Sequence, residues 1–131
     1  MPDAAVMAVA RSTGVPGVGL WPCIDIELPF LRRVYADARA AELALVADWT
    51  DAQRQEFLRF QFDAQHRHYR AHYPDADYDL ILGHGRPIGR LYVCDLPGEI
   101  RLMDIALLAG ERDRGIGGAL VRDLIDRAAA L

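Results

Sequence analysis

The chain has 131 residues, of which 52% are hydrophobic and 26% charged; that length and balance fit one globular domain and exclude a disordered chain. Fifteen Lys and Arg stand against nineteen Asp and Glu, a formal net charge of -4, which argues against a nucleic-acid-coating protein but leaves room for an anion held by backbone amides. No apolar run reaches the length of a membrane span, so no membrane partner is expected.

Residues 1–23 have no clear period and read as a poorly defined N-terminal segment; a domain is expected over 24–131, with a first strand near Gly19 to Glu27. Pro29 suits the first turn of a helix. Leu31, Val34, Tyr35 and Ala38 then fall on one helical face, opposite Arg32, Arg33 and Asp37, and the helix is expected to run on in broken form to Val46. Thr50 followed by Gln53 spells a capping box. A long helix should follow it to about Tyr73, where Pro74 stops it.

The period then changes to that of strands. Tyr78 to Leu82, Pro87 to Asp95 and Glu99 to Leu108 read as three antiparallel strands, joined by the turns Gly83-His84-Gly85-Arg86 and Leu96-Pro97-Gly98,. In the last strand Ile100, Leu102, Asp104, Ala106 and Leu108 alternate with Met103, Ile105 and Leu107. Both faces are apolar, so this strand is expected at the centre of the sheet. A final helix starts near Gly115, with Ile116, Leu120, Val121, Leu124, Ile125 and Ala128 as its buried stripe.

The segment Leu107-Leu108-Ala109-Gly110-Glu111-Arg112-Asp113-Arg114-Gly115-Ile116-Gly117-Gly118-Ala119-Leu120 joins the buried strand to a glycine-rich helix start. The first turn of a helix has unpaired N–H groups and a partial positive charge, and glycines leave those groups uncovered. A Walker A loop needs Lys and Ser or Thr after its second glycine, where this chain has Ile116 and Gly117,. A dinucleotide fingerprint needs a third glycine where Leu120 stands,. Arg112-Asp113-Arg114-Gly115-Ile116-Gly117 fills the third pattern, Arg/Gln-x-x-Gly-x-Gly/Ala, in full. The plain alternative is that the glycines only permit a tight turn. Against it, three glycines within residues 115–118 weaken a helix that mere turning would not require to be weak.

With this loop, and with its order of strand, two helices, three antiparallel strands, glycine loop and helix, the chain resembles the GCN5-related N-acetyltransferase (GNAT) family. The resemblance spans Ile24 to Leu131 by element order, with 104–120 the specific part. It implies an α/β fold, a mixed and mostly antiparallel sheet with helices on both faces. It implies acetyl-CoA as cosubstrate and acetyl transfer to a primary amine by direct attack, the acceptor being a small molecule or a peptide. By the resemblance, amides of Arg114, Gly115, Gly117, Gly118 and Ala119 hold the pyrophosphate, within a cofactor-binding stretch that also takes in Arg112 and Ile116. Backbone groups of Ile105, Ala106 and Leu107 pair with the pantetheine arm like an added strand, and one N–H there serves the oxyanion.

The resemblance makes Asp104 the first candidate for the base, with Glu99 second. A structural pair of Asp104 with Arg90, or its hydrogen bond to Tyr92, has the better claim of the two readings, and Glu99 reads otherwise as a solvated strand start. Family members continue beyond the position of Leu131 with further strands and a helix bearing a thiolate-protonating Tyr, about 40 residues by typical element lengths. A non-catalytic CoA-binding or interaction module therefore stands as the alternative, as does a regulatory domain for another nucleotide. A homodimer that completes the sheet remains open.

His66, His68 and His72 share the second helix, where they read as surface or acceptor-groove residues; no metal is expected. Cys23 and Cys94 read as buried small residues rather than a disulfide or nucleophiles. With no basic leader before the short N-terminal apolar stretch, they fit a cytoplasmic location.

Overall fold

The computed structural model describes residues 10–23 and 27–131; the part of the first expected strand that falls on residues 24–26 lies outside them. Five strands form one antiparallel sheet in the order in which the chain makes them: β1 (Arg11–Ser12), β2 (Val18–Pro22), β3 (Asp77–Gly83), β4 (Arg86–Leu96) and β5 (Glu99–Leu107). Helices α1 (Leu28–Leu43) and α2 (Asp51–His72) follow β2, and α3 (Ile116–Ala129) follows β5. Every pairing among the described strands is antiparallel. β1 falls in the segment expected to have no defined structure. It is held by Thr13, whose hydroxyl accepts from the Val15 N–H and donates to the Val18 carbonyl.

The sheet separates two cores. On one face Leu31, Tyr35 and Leu43 of α1 and Leu58 and Phe62 of α2 pack on Tyr78, Leu80, Leu82 and Tyr92. On the other, Leu120 and Leu124 of α3 pack on Val18, Ile81, Ile88, Leu91 and Val93. Side chains alternate across a pleated strand, so β3 and β4 supply both cores and are buried along nearly all of their length. Pro29 lies in the first turn of α1, which ends at Leu43 rather than running on to Val46. Thr50 accepts from the Gln53 amide while the Gln53 side chain accepts from the Thr50 amide, which is the capping box in full. The His84-Gly85 hairpin has φ of 51° and 83°, the left-handed pair that a two-residue turn between twisted strands needs.

β5 departs from its expected place. Its sole strand neighbour among the described residues is β4, so within these residues it lies at the edge of the sheet. Its two faces are apolar because α1 contacts it from one side and α3 from the other. Its alternation also slips. Tyr92 pairs with Asp104 and Val93 with Leu102, which leaves Met103 as an extra residue in a bulge,. Met103 thus joins the α1–α2 core, while Ile100 joins Ile105 and Leu107 on the α3 side. The sequence alternation had placed Ile100 with Asp104 and opposite Ile105. In α3, Ile125 is 60% exposed and Ala128 is exposed, so the buried stripe is narrower than the pattern suggested.

Candidate functional site

β5 runs out at Leu107 into a single 3-10 turn (Ala109–Glu111) and then the loop that starts α3. Two features hold this passage. The Ala109 amide donates to Asp37 Oδ2 of α1 at 3.1 Å, and Arg112 Nε donates back to the Leu107 carbonyl at 3.1 Å. The Arg114 guanidinium reaches Glu111 at 3.4 Å. Asp113 and Gly115 both have positive φ, 64° and 78°. Asp tolerates that region better than most residues, and Gly enters it freely.

Gly115 is the N-cap of α3, and no side chain caps the helix start. The first turn of α3 therefore offers N–H groups with no side-chain partner. The Ala119 amide is different: it donates to the Gly115 carbonyl at 3.0 Å, so the helix already uses it, leaving Gly115, Ile116, Gly117 and Gly118 as the open set. A side-chain carbon added at Gly110 or Gly115 would meet no atom within 4 Å; at Gly117 it would just reach Leu107 Cδ1 at 4.0 Å. Open space, not crowding, lies over these glycines.

The neighbouring edge of β5 is also open. The Leu108 amide donates to the Ile88 carbonyl at 2.9 Å, and with Gly89 opposite Leu107 and Arg90 opposite Ala106 the antiparallel alternation fixes the rest. Ala106 directs its N–H and C=O toward β4, whereas Ile105 and Leu107 direct theirs off the free edge. A cleft of about 350 Å³ runs beside them, lined by Ala38, Ile105, Ala106, Leu107, Arg112, Gly117 and Val121. Five of the residues singled out from the sequence thus meet in one cleft. A second groove, of about 690 Å³, takes Arg114, Gly115, Ile116 and Ala119 on the other flank of the same helix start.

The acid–base candidates sit elsewhere on the strand. Asp104 Oδ2 accepts from Arg90 Nη2, the structural pair considered from the sequence, and Arg90 also donates to Gln65 at 3.1 Å. The Arg90 side chain is only 3% exposed, against 21% for Asp104. Its guanidinium lies over the rings of Tyr35 and Tyr92 at 5.5 and 4.9 Å. Burial pushes the Tyr92 phenol up to about 12, and burial followed by the nearby Asp104 charge raises Tyr69. Both phenols stay protonated near neutral pH. Glu99 pairs with Arg101 at 3.1 Å at the hairpin end of β5, far along the strand from the loop.

His68 and His72 stack at 4.2 Å on an exposed turn of α2, and His72 Nδ1 contacts the His68 carbonyl. No group of three or more His, Cys, Asp or Glu suited to a metal occurs among the described residues. No described helix is long and apolar enough to cross a membrane. Cys23 and Cys94 are not joined by a disulfide. The role of Asp37 was missed from sequence, because it depends on a partner brought from a distant element.

No family model and no curated protein matches this sequence. Solved structures do match in fold. The N-acetyltransferase PaiA of Thermoplasma acidophilum, solved with coenzyme A, superposes with a TM-score of 0.55 at 11% identity, over 86% of this chain and 72% of that one. A GCN5-related N-acetyltransferase of Rhodopseudomonas palustris gives 0.52 at 14% identity, over 93% and 69%. An acetyltransferase of Thermus thermophilus gives 0.50 at 18% identity, over 91% and 71%. The architecture is that of the GNAT acyl-CoA N-acyltransferases. Within that fold, this chain provides the sheet as far as β5, the glycine loop and the helix that follows it.

Proposed function

We propose that the chain binds acetyl-CoA and transfers its acetyl group to a primary amine. The observation that carries this reading is the uncapped, uncovered glycine start of α3 beside a cleft along the free edge of β5. Amides of Arg114, Gly115, Ile116, Gly117 and Gly118 hold the diphosphate, with the helix dipole adding to the attraction. Arg112 and Arg114 bring positive charge to the same place. The pantetheine arm lies along β5 as an added strand, with Leu107 nearest the loop and Ile105 further along. The Ile105 N–H, just past the bulge, then faces the thioester carbonyl and donates to the oxyanion as it forms.

The amine attacks the thioester carbonyl carbon, the C–N bond forms, and the C–S bond breaks to release the thiolate, which takes up the proton the nitrogen sheds as the amide forms. The ammonium form must first lose a proton. Asp104 accepts it through water with Oδ1, which has no hydrogen-bond partner among the described residues, while Arg90 holds Oδ2. Glu99, paired at the far end of the strand, is the weaker candidate. The aromatic and basic wall of α2 borders the acceptor side. A protein of this kind, with two thiols and no disulfide, suits a reducing cytoplasm.

Titration with acetyl-CoA, CoA and ATP tests the binding step: saturable binding of both CoA forms with ATP much weaker supports it, and equal binding of ATP or none at all contradicts it. Acetyl transfer across a panel of amines then separates an enzyme from a CoA-binding module.

A further inference from the structure

A groove of about 470 Å³ lies between α1 and α2, and it shares no residue with the β5 cleft or with the groove on the other flank of α3. Pro29, Ala36 and Leu58 supply its apolar part, and Arg32 and Arg33 of α1 line it together with Arg59 of α2. Like charges gathered in one groove repel unless something negative sits among them, and the nearby carboxylates are engaged. Asp63 accepts from Arg32 Nη2 at 3.1 Å. Asp37, the one carboxylate lining the groove among the described residues, accepts from the Ala109 amide. Arg33 and Arg59 have no hydrogen-bond or ion-pair partner among the described residues. Arg32 is the anchored member: its guanidinium lies over the Phe62 ring at 5.7 Å, and its Nε is buried without a hydrogen-bond partner among the described residues.

We infer that this groove is a binding site for a small polyanion, a molecule with two or more carboxylate or phosphate groups, separate from the acyl-transfer cleft. Concave walls of low dielectric concentrate the field of like charges placed on them. Arginine presents a planar fork of N–H donors that meets carboxylate and phosphate oxygens in pairs, and Arg33 and Arg59 have all of theirs to give. The apolar part takes the carbon skeleton of the ligand, and the volume is that of a small-molecule site. The chain as a whole is acidic, with a net charge of -4, so the attraction comes from this local concentration of arginines. Asp37 lines the groove and the next residue, Ala38, lines the β5 cleft. The ligand therefore sits beside the carboxylate that holds the turn before the glycine loop. The inference stands apart from the coenzyme A reading, since it uses neither the glycines nor the free edge of β5.

The test follows arginine side-chain N–H resonances by NMR while citrate or inorganic phosphate is added at constant ionic strength. Arg33→Gln with Arg59→Gln removes the two unpaired cations. Both positions are exposed on helices and glutamine is a good helix former, so the variant should fold; circular dichroism checks this, and Arg59→Gln alone serves as a second variant. Arg101→Gln with Arg127→Gln makes the same change in net charge at exposed ion pairs outside the groove. The site predicts saturable shifts at Arg32, Arg33 and Arg59, an affinity at least about tenfold lower in the groove variant, and an unchanged affinity in the other. Tighter binding of citrate identifies a polycarboxylate ligand, and tighter binding of phosphate a phosphorylated one. No saturation with either anion, equal weakening in the two double variants, or phosphate shifts confined to Arg112 and Arg114 overturns the site. Failure of coenzyme A to bind the unaltered chain removes the acyl-transfer reading and leaves this one standing.

Discussion

Asp79 shows how burial and a salt bridge compete at one residue. Its carboxylate is buried on β3 beneath Arg11, with which it pairs, and Asp77 lies near. Burial dominates, because the Arg11 side chain is itself 47% exposed, and the Asp79 pKa is raised from 3.8 to about 6. A carboxyl group with a raised folded pKa binds more protons folded than unfolded between those two values. Its contribution therefore favours folding at pH 4 and is lost as pH climbs to about 6. Asp79→Asn should abolish that component: in denaturant melts between pH 4 and 7, the variant should show a smaller fall in stability with rising pH than the parent chain. An identical pH slope in the two would contradict the assignment.

Asp104 poses the opposite problem, since its partner Arg90 is the deeply buried one. Arg90 Nε and Nη1 and the Tyr92 hydroxyl lack hydrogen-bond partners among the described residues, so the Asp104 pair carries much of what holds the guanidinium inside. Asp104→Asn should cost about 2 kcal/mol of stability, less than the roughly 3–5 kcal/mol for a fully buried pair, because the Asp104 side chain is 21% exposed,. The pH–rate profile decides whether it does more. Loss of the acidic limb in the variant supports a base; an unchanged profile with reduced stability leaves Asp104 as a structural anchor. A cross-strand partner for Asp104, Arg90 or Tyr92, was legible from sequence; that Arg90 takes it, and that a bulge falls at Met103, was not. A one-residue slip has no compositional sign when both faces of a strand are apolar.

At the level of elements, local signals were the readable ones. The Thr50–Gln53 box, Pro29 at a helix start and Gly115 before α3 each encode their own boundary within a few residues. The place of β5 in the sheet was not encoded locally. Apolar faces report helices above and below, and β5 has both, yet strand neighbours are a separate matter that face composition does not report. The first turn of α3 gives the sharpest test of whether its glycines serve a ligand or a turn. Gly117 lies within the helix at ordinary φ, with Leu107 Cδ1 at 4.0 Å from an added side-chain carbon. Gly117→Leu should preserve or raise thermal stability, since leucine favours helix over glycine by somewhat under 1 kcal/mol. It should also lower coenzyme A affinity at least about tenfold by entering the β5-side cleft. Retained affinity would return the glycines to a purely conformational role.

For the molecule as a whole, the sheet sorts its work by face and by edge. α1 and α2 close one core and α3 the other, and Asp37 reaches from α1 to the turn after β5, so both layers bear on the glycine loop. The order of elements could be read from sequence because each is signalled by its own period and caps. The larger groove on the other flank of α3 could not, because its walls join residues far apart in the chain, as Val15 and Arg114 are.

The most direct measurement is amide hydrogen exchange over residues 103–120, with and without coenzyme A. The account predicts slowed exchange at Gly115 to Gly118 and at Ile105 and Leu107, with little change at Ala106 and Ala119, whose amides the protein already engages. Unaltered exchange across Gly115 to Gly118 at saturating coenzyme A would contradict it.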